Sequence, residues 1–461
     1  MPDPFRHYEG VPVLDLPADP PAPQASALGI LHGQAAQANA LDGPAFLSQF
    51  LYHSAAISAT KRVPSSGYQY ALRVNPSSGN LHPTEFHFLS QGLRGWPDGL
   101  YHYRPSSHMA EQRAEGIVPS GLPGGTLNFV LTSIAWREEW KYRDRAYRYC
   151  LHDIGHAWQA LVLAARAMGC ESFATALFAD DELTQALRLS GDEWPMLAVS
   201  IRGPAPGEMR AEAGCTWHGG EPNILSTNQI EYPRIEAMHQ ATKVKMNGTG
   251  ESADHAAISN GIALPAPALS SKGYGEVART RRSALDFRGG MESISFGDLS
   301  ALLHAASQPL AGDFCDRRFV QLYLYVHRVE GLAPGMYRYW PETGQLELMR
   351  SGDQQVMAAG LSLGQQLAGN ACVAFSMIAD LERATRLHGD RGYRCAYFEA
   401  GAIGQRLYLA AESLGVRATG IGAFYDDEVH NYLGLTSQMG QVVYHFAIGH
   451  PVHDPRLDAH G

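Results

Sequence analysis

The 461-residue sequence is sparing in the features that most quickly assign a class. It has six cysteines, at positions 150, 170, 215, 315, 372 and 395, and none falls in a C-x-x-C pair or a Cys/His metal spacing. Neither a disulfide scaffold nor a zinc site is suggested, and no metal is expected. No apolar run approaches the length of a membrane span, and the opening Met1-Pro2-Asp3-Pro4-Phe5-Arg6 lacks a charged stretch followed by an apolar one. A cytoplasmic location is expected. Basic blocks are missing too: 36 Lys and Arg against 46 Asp and Glu give a net charge of −10. This argues against a nucleic-acid or membrane partner and toward small molecules.

What is present is a globular composition, 45% hydrophobic and 18% charged, in a chain long enough for two or three domains. The chain also repeats itself. Shifted by 246 residues, 147–189 aligns without a gap on 393–435, with 15 of 43 positions identical. Tyr147-Arg148 falls on Tyr393-Arg394, Gly155 on Gly401, Gln159 on Gln405 and Asp180-Asp181-Glu182 on Asp426-Asp427-Glu428. The Leu/Ala spacing over 155–168 and 401–414 predicts a long apolar helix in each copy, ended by Gly169 or Gly415. Strands are predicted at 84–90, 99–103 and 127–135, and helices at 41–57 and 296–306. The chain divides into a Pro-rich extended arm (1–39), a first domain (40–204), a polar Gly/Ser/Asn-rich linker (205–278) with a helical patch near 227–244, and a second domain (279–461).

Two stretches carry chemistry. Pro76-Ser77-Ser78-Gly79-Asn80-Leu81-His82-Pro83 reads alone as a turn before a strand, although its hydroxyls and amides can also converge on a ligand. Arg281-Arg282-Ser283, at the opening of the second copy, reads alone as a solvated basic patch, although two guanidiniums can hold a phosphate. Taken with the duplication and with Thr419-Gly420-Ile421-Gly422-Ala423-Phe424, they resemble the nitroreductase superfamily of FMN enzymes, specifically its SagB-type dehydrogenase branch in a tandem-fused form. The resemblance runs from about residue 40 to the C-terminus. It implies an α+β fold of two nitroreductase-like domains, each an antiparallel-rich sheet flanked by helices, packed as an intramolecular pseudo-dimer.

The resemblance also implies cofactor roles for named residues. Arg281, Arg282 and Ser283 would hold the FMN phosphate and ring edge. The loop residues Pro76, Ser77, Ser78 and Asn80 would reach the flavin from the other copy. Backbone amides near Gly422 and Ala423 would bond the reactive flavin nitrogen, and Arg456 would add a phosphate contact. These elements are not repeated: 313–318 replaces the serine loop, no paired arginines open the first copy, and Gly420 and Gly422 fall on Ala174 and Ala176. A methyl there would narrow the gap beside a planar ring. One FMN per chain is expected, and the serine loop should point across the interface toward Arg282. Leu285 departs from the family pattern, which often has a basic residue there.

In the SagB-type branch a Lys-Tyr pair removes a ring proton while hydride passes to FMN, and here it resembles Lys141-Tyr142 within 140–148. Arg143 and Arg145 are neighbours that can depress a lysine pKa. The aligned residues of the second copy are Leu387 and His388, so the pair is single. The expected function is an FMN-dependent oxidoreductase acting on azoline rings in peptides or on a related small molecule, with NAD(P)H or oxygen as candidate redox partners. Two alternatives stay open: an NAD(P)H-dependent nitro- or quinone-reductase, and a non-catalytic flavin-binding scaffold of a peptide-modifying complex. His82 is the one histidine close enough to the loop to merit mutation.

Overall fold

A computed structural model describes residues 2–38, 41–63, 65–123, 125–203, 214–243, 261–436 and 439–457. Each half builds a sheet with one strand order and wholly antiparallel pairing. In the first the order is Cys215–Trp217, Met109–Gly116, Gly99–Arg104, Thr84–Ser90, Leu127–Ser133, Trp194–Arg202 and Glu171–Thr175. In the second it is Ile262–Ala263, Gln345–Ser351, Gly335–Trp340, Val320–Val326, Val373–Ala379, Gln441–Gly449 and Arg417–Ile421. The repeat seen in sequence is thus a repeat of topology.

The long helices Ala146–Ala167 and Arg391–Ser413 run well past the apolar cores predicted for them and pack directly on each other. They meet at the aligned glycines. A Cβ on Gly155 would lie 2.3 Å from the carbonyl oxygen of Phe398, and one on Gly401 would lie 2.3 Å from that of His152. Only glycine permits that approach. Both halves feed one continuous apolar core, to which Leu47, Phe50 and Trp158 contribute from one side and Phe314, Phe398 and Leu407 from the other.

The other repeated residues pair across this axis. Asp180 binds Arg391 and Arg394 at 2.6 Å each. Its counterpart Asp426 binds Arg145 and Arg148 at 2.9 and 2.6 Å. The same carboxylate and the same two arginines are exchanged in both directions, as in an isologous dimer interface.

Two segments differ from expectation. The N-terminal stretch is built into the fold instead of extending as an arm. Val13–Asp15 pairs with Met109–Gly116, and Ala27–Leu31 forms a short helix, capped by Ser26, with Ala27, Leu28, Ile30 and Leu31 buried. Apolar residues directly after the prolines give this segment a surface to bury, which the Pro-rich composition masks. The linker reading fits 205–278 only in part. Both sheets take an edge strand from it, and the helix expected near 227–244 is found at Pro233–Thr242, where it buries Ile235, His239 and Thr242. Residues 205–213 and 244–260 of that span lie outside the described residues.

Candidate functional site

One cavity of about 1040 Å³ lies between the halves. Its walls include Pro76, Ser77, Ser78 and Asn80 from the first copy and Arg281, Arg282, Ser283, Gly420, Gly422, Ala423 and Arg456 from the second.

The serine loop enters as an extended chain at Ser77 and turns through Gly79 (φ 58°) and Asn80 (φ 60°). A buried carboxylate anchors it. Asp153, on the first long helix, accepts from the Ser78 amide at 3.1 Å and from the Ser78 hydroxyl at 3.2 Å. Burial raises Asp153 to about 7 against the lowering effect of its bonds to Ser77 and Ser78. Within the loop the Ser77 hydroxyl accepts from the His82 amide, and His82 Nε2 meets Asn80 Oδ1 at 3.0 Å. Burial and the nearby Arg73 hold the His82 imidazole neutral, well below its usual range. The loop is therefore fastened to its own domain while lining a cavity whose far wall is the other.

Positive charge gathers on the second copy's side. Arg282 donates to the carbonyls of Arg279, Arg281 and Ser58, has no carboxylate partner among the described residues, and is lowered to about 9 by burial and by Arg281. Arg281 is a strut: its Nε and Nη2 bind the carbonyls of Val74 and Arg73, tying the copies together. Lys61, on the strand Ile57–Arg62, also lines the cavity and is bound by Asp454 at 2.7 Å. The same carboxylate binds Arg456 at 2.8 Å, and the Arg62 amide donates to the Arg456 carbonyl. Lys61 and Arg456 thus share a single acid, and with Arg282 they leave excess positive charge suited to an anion.

Opposite, the Ser283 hydroxyl meets the Tyr408 hydroxyl at 2.9 Å, and the Gly420 amide donates to that same phenol oxygen. The glycines are required for a reason other than cofactor approach. A Cβ on Gly420 would sit 2.1 Å from the Tyr444 hydroxyl, and one on Gly422 2.3 Å from the Tyr149 ring, so they make room for the aromatic wall. The amides of Gly422 and Ala423 have no hydrogen-bond acceptor among the described residues.

Their counterparts in the first copy are occupied. The amides of Ala176 and Leu177 donate to the two carboxylate oxygens of Asp313 at 2.8 and 3.1 Å. Ala174 pairs with the backbone of 311–313. A neighbouring cavity beside Phe314, Cys315 and Glu399 is about 200 Å³. Its Arg406 is engaged by Gln159 and the carbonyls of Gln308 and Pro309. An internal carboxylate fills the place that the other half leaves open.

Lys141 and Tyr142 end the helix Trp136–Tyr142 and abut the serine loop. Lys141 Nζ lies 5.1 Å from the Tyr142 ring centroid, and a Cβ on Gly79 would lie 2.8 Å from that nitrogen and 2.5 Å from the Tyr142 hydroxyl. Tyr142 lines the larger cavity, and Lys141 Nζ stands beside it near Gly79 of the serine loop. Burial, with Glu138 next, raises the Tyr142 phenol, so it stays protonated at neutral pH. Arg145 is taken up by Asp426 and the Gly422 carbonyl.

Sequence reasoning missed Lys61, Asp153, Tyr149, Tyr408 and Tyr444. Asp153 had a signal, because the repeat places it on Glu399, whose carboxylate accepts the amides of Phe319 and Val320 at the matching loop. The contact is duplicated although the serines are not. Lys61 had none, being a lone lysine far in sequence from Arg282.

The nitroreductase family matches residues 54–203 and 278–450. A nitroreductase-type protein of Methanocaldococcus jannaschii is 36% identical over 118 residues, 25% of this chain and 59% of that protein. The microcin B17-processing protein McbC of Escherichia coli is 30% identical over 132 residues, 25% of this chain and 48% of that protein. The matched stretch is less than two thirds of either relative. A solved nitroreductase-type structure from Anabaena variabilis superposes with a TM-score of 0.78 at 25% identity, over 98% of this chain and 94% of that one.

Proposed function

We propose, from the premise that the chain belongs to the nitroreductase family, that it is an FMN-dependent dehydrogenase holding one FMN per chain between its halves and oxidising azoline rings in a peptide or a related small molecule. The observation that carries the reading is the asymmetry. Basic, hydroxyl and open-amide groups from both copies converge on one cavity, while Asp313 caps the equivalent amides of the other half.

The residues fit the cofactor. Excess positive charge from Lys61, Arg282 and Arg456 suits its phosphate, with Arg281 fixing the wall behind them. The open amides of Gly422 and Ala423 suit a ring edge, and Tyr149 and Tyr444 supply flat apolar walls. When bound, FMN would supply the hydride acceptor.

The protein's own part is positioning and proton handling. Tyr142, kept protonated, donates a hydrogen bond that orients the substrate, and the Lys141 amine beside it receives the proton leaving the ring carbon. Asp153 holds the serine loop in place between them. The azoline assignment is supported by the likeness of 140–148 to the SagB-type branch and by a microcin-processing protein among the relatives.

The test is to purify the protein, count its flavin and expose it without oxygen to an azoline-containing peptide. One FMN per chain and bleaching by the peptide are expected, with flavin lost in Arg282→Ala and in Ser78→Ala. Two flavins per chain, or full retention in both variants, would overturn the single-site reading. Bleaching by NAD(P)H alone would reassign the protein as a reductase, and an FMN-loaded protein inert to both would make it a scaffold.

A further inference from the structure

The end of the Trp136–Tyr142 helix contains a comparison the chain makes with itself. Arg143 has φ 51° and ψ −138°. Its counterpart 246 residues on, Gly389, has φ 55° and ψ −153°. Both copies therefore make the same turn between the same two helices. That backbone lies close to a region that only glycine enters freely. The second copy satisfies it with glycine, whereas the first forces an arginine into it.

The arginine's surroundings do not account for it. Arg143 is exposed, and no side-chain partner for it is found among the described residues. The adjacent Asp144 is bound by Arg234 at 3.3 Å. Arg145 and Arg148 are both neutralised by Asp426. Arg143 is thus left without an acidic partner among the described residues, one residue beyond Tyr142, which lines the cavity. The whole stretch has diverged in this direction: Trp140-Lys141-Tyr142-Arg143 stands where the second copy has Arg386-Leu387-His388-Gly389. The divergence falls at the cavity that stayed open.

We propose that Arg143 is a positioning residue that binds an anionic group of the molecule entering this cavity. A strained backbone persists when something compensates for it, and at functional sites the compensation is the task itself. A guanidinium offers a planar fork that takes a carboxylate or a phosphate through two parallel hydrogen bonds. One residue beyond Tyr142, it holds the anion at the entrance and leaves the uncharged reacting part for the interior. The anion can come from a peptide carboxylate or from the 2′-phosphate of a dinucleotide, and the chemistry of recognition is the same. The inference rests on the larger cavity being the substrate site.

The experiment compares FMN-loaded wild type with Arg143→Gly and Arg143→Lys. The glycine variant borrows the residue its own duplicate uses, so its melting temperature should rise, while Arg143→Lys should melt like wild type. Two probe pairs identify the anion: NADPH against NADH, and an acidic peptide against the same peptide with glutamines. Binding is followed by the change in bound-flavin fluorescence at low and high salt. Wild type should prefer the charged member of one pair. Arg143→Gly should bind that member about tenfold more weakly and leave the one lacking the extra anionic group unchanged, with partial rescue by Arg143→Lys. A wild type indifferent to charge in both pairs, or a glycine variant with wild-type preference, overturns the inference. Wild type purified without flavin would instead count against the cofactor reading.

Discussion

Asp153 is where burial, loop geometry and charge meet in one residue. Its anchoring bonds to Ser77 and Ser78 favour the carboxylate, whereas its burial favours the acid, and the balance falls at about 7. The sign of the pH dependence follows. The unfolded chain releases this proton at about 4 and the folded one later, so the associated stability is present below about pH 4 and is lost as pH rises through the folded value. Glu399, raised by burial to about 7, titrates alongside it, so the isolating measurement is a difference. The melting temperature of wild type relative to Asp153→Asn should fall between about pH 4 and pH 7. A gap that does not change with pH would show that Asp153 does not titrate there. Lys61 gives a second test: Lys61→Met should weaken FMN binding by about tenfold and leave riboflavin, which lacks the phosphate, unaffected. Equal losses for both flavins would remove Lys61 from the phosphate site.

The crossing of the long helices carries the prediction at the scale of elements. Gly155→Ala and Gly401→Ala each place a methyl against a carbonyl oxygen of the other helix. Each should cost about 1–3 kcal/mol or more, read as a lowered denaturation midpoint. Gly360, in the helix Gln355–Leu361, has nothing within 4 Å of a built Cβ, and Gly360→Ala should instead stabilise by roughly 0.5–1 kcal/mol. Both long helices were legible in the sequence because apolar periodicity and a terminal glycine are local signals. The edge strands Cys215–Trp217 and Ile262–Ala263 were not, since a three- or two-residue strand becomes one only when a partner's edge is available. The N-terminal strand and helix escaped notice because the Pro-rich composition around them masks their few apolar residues.

Over the whole molecule the two halves are joined by mirrored ion pairs in unequal surroundings. Asp180 is fully buried beside Arg391 and Arg394, whereas the Asp426 side chain is 28% exposed beside Arg145 and Arg148. Removing the buried acid strands two charges, so Asp180→Ala should cost about 3–5 kcal/mol. Asp426→Ala, with water at hand, should cost roughly 1 kcal/mol. Urea midpoints of the two variants would order them, and equal losses would refute the dependence on burial. Asp313→Ala should leave the flavin count at one, because freeing the amides of Ala176 and Leu177 restores none of the positive charge that gathers at the other cavity.

The sequence by itself determined that the chain is a duplication, which helices form its axis, and which half carries each motif, because repeats, periodicity and motif loss are written in residue order. Only the tertiary structure decided that Lys61 and Asp153 join the cavity, that Gly420 and Gly422 yield space to tyrosines, and that Asp313 closes the opposite site. Those facts depend on which atoms come within a few ångströms after the chain folds back over hundreds of residues, a distance that no local pattern encodes.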